Sequence, residues 1–228
     1  DISPAAEWLL DNFHLIEAQL EQIHEGLPRS YFRVLPLLLD EPLAGLPRVY
    51  GIAWAFVAHT DGAFDEALLI QFLSAYQETR ELNLSEIWAL PTTLRVVLIE
   101  NLRRLAERAA CNKAAREAAN LCCDRIDECT TQQLDALLAE LDLRGVGRVF
   151  LAQMAQRRRD GRHTAVDRPA AHVDEWLRQA LPDLAAAQAQ QIADQACDNL
   201  SVSNAVGSLR AIGDADWPDI VSRTSSLM

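Results

Sequence analysis

Pro47-Arg48-Val49-Tyr50-Gly51-Ile52-Ala53-Trp54-Ala55-Phe56-Val57-Ala58-His59-Thr60 is the stretch on which the fold is read. From Val49 to Ala58 it carries no charge, and Gly51 is its only small gap. A soluble helix usually shows one apolar stripe. A helix apolar on every side is buried all round or lies in a membrane. The uncharged run is far short of the roughly 20 residues that span a bilayer. It therefore predicts a central helix over 47–60, enclosed by other helices, with Pro47 at its start, where a missing N–H costs nothing. Trp54 and Phe56 stand about 200° apart on that helix, so burying both requires neighbours all round it. Trp8 and Phe13 on one side, Val96 and Ile99 on the other, are the expected neighbours.

The remaining residues point to the same class. The chain has 228 residues, 50% of them hydrophobic and 24% charged, with nine Gly and nine Pro. That balance is globular, and so few turn residues lean towards helix. Ala, Leu, Glu, Gln and Arg, the strong helix formers, are abundant. Helical spacing predicts a first helix from the Ser3-Pro4 start signal to Gly26, with Trp8, Phe13, Ile16 and Leu20 on one face. Further helices are expected over 29–38, 64–79 and, from Ser85-Glu86, through a kink or a new start at Pro91, to about residue 128. In the second half helices are expected over 131–141, 148–159, 170–180, 182–199 and 201–212, with a short one near Trp217-Pro218. Residues 160–169, the longest polar stretch, read as a mobile loop. No segment alternates as a strand does. The expectation is an all-α domain, an irregular helical array or bundle, with two subregions at 1–110 and 111–228.

Charge and cysteine usage narrow the function. A formal net charge of −12 repels nucleic acid and anionic lipid. Arg157-Arg158-Arg159 reads as a solvated helix end, with contact to phosphate or a lipid headgroup as the lesser reading. The five Cys, with no CxxC pair, favour a reducing compartment over a disulfide framework. Cys122, Cys123 and Cys129 lack zinc spacing and a nearby His. No run approaches membrane length, and the amino end has no signal-peptide pattern. Asp1 at the first position suggests a fragment or a processed chain.

No catalytic constellation emerges. Asp214-Ala215-Asp216 matches the Asp-x-Asp of sugar-nucleotide enzymes but sits between helices, where capping and a turn account for it. His59-Thr60-Asp61 with Asp65 and Glu66 lacks a calcium-loop pattern; it reads as a helix end followed by an Asp61-Gly62 turn. Arg95, in a highly apolar run, calls for a structural salt bridge to Glu100 or to an acid on a facing helix. Trp8, Trp54 and Trp88 read as core. Trp176 and Trp217 are the freer pair and the candidate interaction residues.

Several segments together resemble one family. They are Ile2-Ser3-Pro4-Ala5-Ala6-Glu7-Trp8-Leu9-Leu10-Asp11-Asn12-Phe13-His14, Pro47-Arg48-Val49-Tyr50 and Trp54-Ala55-Phe56-Val57-Ala58-His59-Thr60-Asp61. With them go Trp88-Ala89-Leu90, Thr93-Leu94-Arg95, Glu100-Asn101-Leu102-Arg103-Arg104-Leu105-Ala106, Asn199-Leu200-Ser201-Val202-Ser203-Asn204 and Asp216-Trp217-Pro218. The combination resembles the amino-terminal region of the cyclic β-1,2-glucan synthases of Gram-negative bacteria. Pro91 departs from what that family leads one to expect in this helix. The resemblance implies a very large inner-membrane enzyme that builds and closes a β-1,2-glucan from UDP-glucose, its transfer motifs and membrane helices lying beyond this region. It thus implies a non-catalytic accessory domain on the cytoplasmic side, its partner the membrane-embedded transferase part of the same polypeptide. No nucleic acid, cofactor, metal, catalytic residue or membrane insertion of this region is implied. The alternative is a helical carbohydrate-binding or protein-interaction scaffold.

Overall fold

The computed structural model describes residues 3–26, 28–161 and 170–225. From residue 162 onward, the loop expected at 160–169 lies outside them. Among the described residues there are eleven α-helices and no strand; Leu37 and Pro47 form one isolated bridge. The helices are α1 (Pro4–Asp11), α2 (Phe13–Gly26), α3 (Arg29–Phe32), α4 (Arg48–His59), α5 (Glu66–Gln77), α6 (Leu84–Asp124), α7 (Thr131–Leu143), α8 (Gly147–Gly161), α9 (Ala171–Ala180), α10 (Leu184–Asp214) and α11 (Trp217–Thr224). The all-α expectation holds.

The helices are fewer and longer than the sequence pattern predicts in two places and shorter in two others. α6 runs straight through Pro91. α10 is continuous where a break was expected near residue 200; no Gly or Pro stands there, and the side chains of Ser201 and Asn204 are used in contacts described below. The first predicted helix is interrupted at Asn12, whose side chain donates to Trp8 O at 2.8 Å and so competes with the backbone. α3 stops at Phe32. Beyond it, Leu38 donates its N–H to Leu46 O at 2.8 Å and closes a tight excursion. Leu38 lies over Gly51, where an added Cβ would come within 2.9 Å of its side chain.

Two compact units divide the chain. One comprises Ala6–Leu105 with Asn199–Met228, the other Asp1–Ala5 with Ala106–Asp198. In the first, Phe56, Leu69, Leu73, Ile87, Leu94, Leu209 and Ile212 are fully or almost fully buried. Phe56 meets Phe72 edge to face with centroids 5.6 Å apart. In the second, Ile126, Leu134, Phe150, Met154 and Val173 form the core. Its α7–α8 turn depends on Gly145, whose φ of +73° suits glycine.

The largest correction concerns α4. It is not enclosed on every side. Val49, Ile52, Ala53, Phe56 and Val57 are buried, but Trp54 is 46% exposed. Trp8 and Trp88, also expected in the core, are exposed, as is Phe13. Trp176, expected to be freer, is buried, and Trp217 is half-buried. Residue type set the expectation. The outcome was set by which stripe of each helix meets a neighbour, and hydrophobicity does not encode that when a stripe is aromatic on its open side too.

α4 is fastened at its first turn. Arg48 Nε donates to Glu86 Oε1 at 2.8 Å, Arg48 Nη2 pairs with Glu86 Oε2, and Nη2 also reaches Glu81 O at 3.0 Å. Glu86 is wholly buried, and it also serves the start of α6. Its Oε2 accepts from Asn83 N at 3.1 Å while its own N–H donates to Asn83 Oδ1 at 2.9 Å. That is a reciprocal cap with Asn83 in the capping role, two residues before the expected Ser85.

These contacts and burials set the cost of three substitutions. Arg48→Ala strands a buried carboxylate and should cost about 3–5 kcal/mol, read as a lowered urea midpoint by circular dichroism. Phe56→Ala should cost about 4 kcal/mol. Half-exposed Trp54→Ala should cost about half that, by the area it still buries.

Candidate functional site

The open stripe of α4 forms one wall of a cleft. Tyr50, Trp54 and Ala58 recur every four residues, one above the other on the helix surface, and Asp61 follows just past its end. The other wall comes from α6, where Val97, Glu100, Asn101 and Arg104 share a face by the same helical periodicity. Val57 completes the lining. The cleft holds about 160 Å³ and lies within one unit. All its lining residues except Val97 fall in the stretches that carry the family resemblance.

Two arginines share one carboxylate beside the cleft. Glu100 accepts from Arg103 Nε at 2.7 Å and Nη2 at 2.9 Å, and from Arg104 Nε at 2.9 Å. These bonds hold its carboxyl down at about 2, well below the usual carboxylate range. Arg95, expected to bond Glu100 or another acid, does neither among the described residues: its Nε donates to the neutral amide oxygen of Gln19 at 2.9 Å, and burial pushes its pKa down. Asn101 adds a side-chain amide that makes no hydrogen bond among the described residues.

The floor of the cleft at Asp61 is fixed by its own network. The turn expected at Asp61-Gly62 is present, with φ of +49° and +76°. Gly62 N donates to Val57 O at 2.9 Å and closes the end of α4. Ser201 Oγ donates to Asp61 Oδ1 at 2.8 Å and Asn204 Nδ2 to Asp61 O at 3.1 Å. Ser208 Oγ donates to Gly62 O at 2.6 Å and accepts from Phe64 N at 2.8 Å. These three side chains occupy one face of α10, where they dock the helix on the turn.

The other residues singled out in the sequence have structural work. Trp176 donates its indole N–H to Asp135 at 2.7 Å from within the core. Trp217 donates to Ile212 O at 2.9 Å and lies against Phe64. Asp216 caps α11 by accepting from Asp219 N at 3.1 Å, the capping role expected of Asp214-Ala215-Asp216. Arg157 bonds Asp124 at 2.6 Å and Arg158 bonds Asp174 at 3.0 Å. Burial pushes the thiols of Cys122 and Cys123 up to about 11, the reverse of an activated nucleophile. Among the described residues no group of three or more His, Cys, Asp or Glu is placed to hold a metal ion, and no helix is long and apolar enough to cross a membrane. Sequence reasoning missed Tyr50, Trp54, Asn101 and Arg104 as a site. The spacing of Tyr50 and Trp54 was visible, but the uncharged run around them read as core.

No model of a known protein family matches the chain. The chain is 35% identical over 217 residues to the cyclic β-(1,2)-glucan synthase NdvB of Rhizobium meliloti (strain 1021). The match takes in 95% of this chain and 8% of that synthase, so the chain spans less than a tenth of its relative's length. The resemblance read from the sequence motifs thus extends over almost the whole chain.

The Glu100 clamp predicts a pH response. Its folded pKa of about 2 lies below the ordinary 4.5. Its contribution to stability is therefore present above pH 4.5, and is lost as pH falls through about 2. Carbon-detected NMR of the Glu100 carboxyl should show a midpoint near 2, and Arg104→Ala should raise it towards the ordinary value.

Proposed function

From the similarity to the glucan synthase, we propose that the chain is a non-catalytic accessory segment of a membrane-bound cyclic β-1,2-glucan synthase. It works on the cytoplasmic face of the inner membrane, against the membrane-embedded transferase part of the same polypeptide. The observation that carries this reading is the shape of the match: nearly all of this chain corresponds to a small fraction of a much larger enzyme. The chemistry of the cleft agrees. A carboxylate held ionised down to about 2 by two arginines is too weak a base to take a proton at neutral pH. Trp54 and Tyr50 offer contact area instead.

Two measurements test the proposal. The isolated chain, given UDP-glucose, should release no UDP and build no glucan; turnover would overturn the accessory role. A Rhizobium synthase lacking its matching segment should lose cyclic glucan in cells, and this chain in its place should restore it. Production unchanged by the deletion would overturn the reading equally.

A further inference from the structure

We infer that the Trp54 cleft is a subsite for one ring of a β-linked glucan chain. The inference deepens the accessory reading and takes its choice of polymer from it; the cleft geometry stands independently. A β-glucopyranose carries its hydroxyls equatorially, leaving two C–H faces that are apolar and flat. Trp54 presents a large, half-exposed aromatic surface on a wall it shares with Tyr50. Such side chains bind through area at little conformational cost. The equatorial hydroxyls of a ring lying there project sideways, towards the α6 wall. Asn101 offers both a donor and an acceptor, and Glu100, whose Oε1 already accepts from Arg103 and Arg104 and whose Oε2 accepts from Arg103, has room on Oε2 for one further charge-assisted hydrogen bond.

The size and charge of the cleft select among ligands. At about 160 Å³ it admits a single sugar ring and falls below the roughly 300–1,000 Å³ of an enclosing small-molecule pocket. A shallow subsite of this kind suits one unit of a polymer passing over the surface. A nucleotide sugar fits poorly. Its pyrophosphate needs an excess of positive charge, yet the lining sets the carboxyl groups of Glu100 and Asp61 against the single guanidinium of Arg104. The net charge of −12 opposes an anion as well. A neutral glucan meets neither obstacle.

The test titrates the nitrogen-15-labelled chain with linear β-1,2-glucan oligosaccharides while the indole N–H signals of its five tryptophans are followed. The Trp54 signal should move with a Kd of about 1 mM, as expected for one shallow subsite. The Trp176 signal, whose N–H is held by Asp135, should stay in place. Trp54→Phe should retain binding, Trp54→Ala should abolish it, and Asn101→Ala should weaken it ~5-fold, the loss of one hydrogen bond. Amide spectra of each variant check that it remains folded. A Trp54 signal that does not move at ~20 mM oligosaccharide, twenty times that Kd, overturns the subsite, as does a stronger response to UDP-glucose than to glucan. Equal binding of β-1,4-glucan oligosaccharides upholds a β-glucan subsite and leaves the synthase reading to the complementation in cells. If that complementation fails while Trp54 still responds, the accessory reading falls and the subsite stands.

Discussion

The ion pair between Arg48 and Glu86 is the constraint on which the first unit rests. Glu86 is wholly buried and its carboxylate is divided between two tasks: one oxygen meets Arg48, and the other serves both Arg48 and the N–H of Asn83. The pair joins the first turn of α4 to the first turn of α6. It thereby fastens α4 in the orientation that buries Val49, Ile52 and Phe56 and leaves Trp54 open. A buried pair of this kind adds little net stability over an apolar replacement, but losing one partner is costly. Its effect is to set register, since an apolar contact would tolerate rotation of α4 by part of a turn.

That register explains both what could be read in the sequence and what could not. Helix content was legible because helix formers, Ser3-Pro4 and the Gly145-Gly147 break act locally. The turn at Asp61-Gly62 was legible for the same reason. Burial was harder to read. Trp54 and Phe56 have similar hydrophobicity, and it is the packing of the stripe Val49, Ile52, Ala53 and Phe56, with Arg48 held by Glu86 at its start, that turns Phe56 inward. Asn83 was missed as a cap because Ser85 is the commoner signal and the reciprocal bond with Glu86 spans three residues that also suit a loop. The break expected near residue 200 is absent, because nothing at Asn199-Leu200-Ser201 bars a helix and Ser201 and Asn204 have partners off the helix. They are the side chains that hold the Asp61 turn.

The candidate site draws these parts together. Its walls are two helices aligned by the buried pair, and its floor is a turn held by a third helix. Tyr50 comes from one segment, Trp54 and Asp61 from a second, Glu100, Asn101 and Arg104 from a third, and Ser201 and Asn204, which hold the floor, from a fourth. Stretches far apart in sequence that carry the resemblance to glucan synthases thus converge on a single cleft. The aromatic exposure that contradicts a closed core is the same feature that gives the cleft a binding surface.

Gly51 carries a consequence for how this fold varies. Leu38 lies so close over it that a methyl group at position 51 would collide with the Leu38 side chain. The two positions are therefore coupled. A larger residue at 51 is admissible where the terminal methyl of Leu38 swings aside or a smaller residue stands at 38. Substitution at one position is rescued by trimming the other, a non-additive coupling between contacting residues. The excursion before α4 thus touches the helix at a side chain that can yield, while the stripe of Tyr50, Trp54 and Ala58 is not part of that contact.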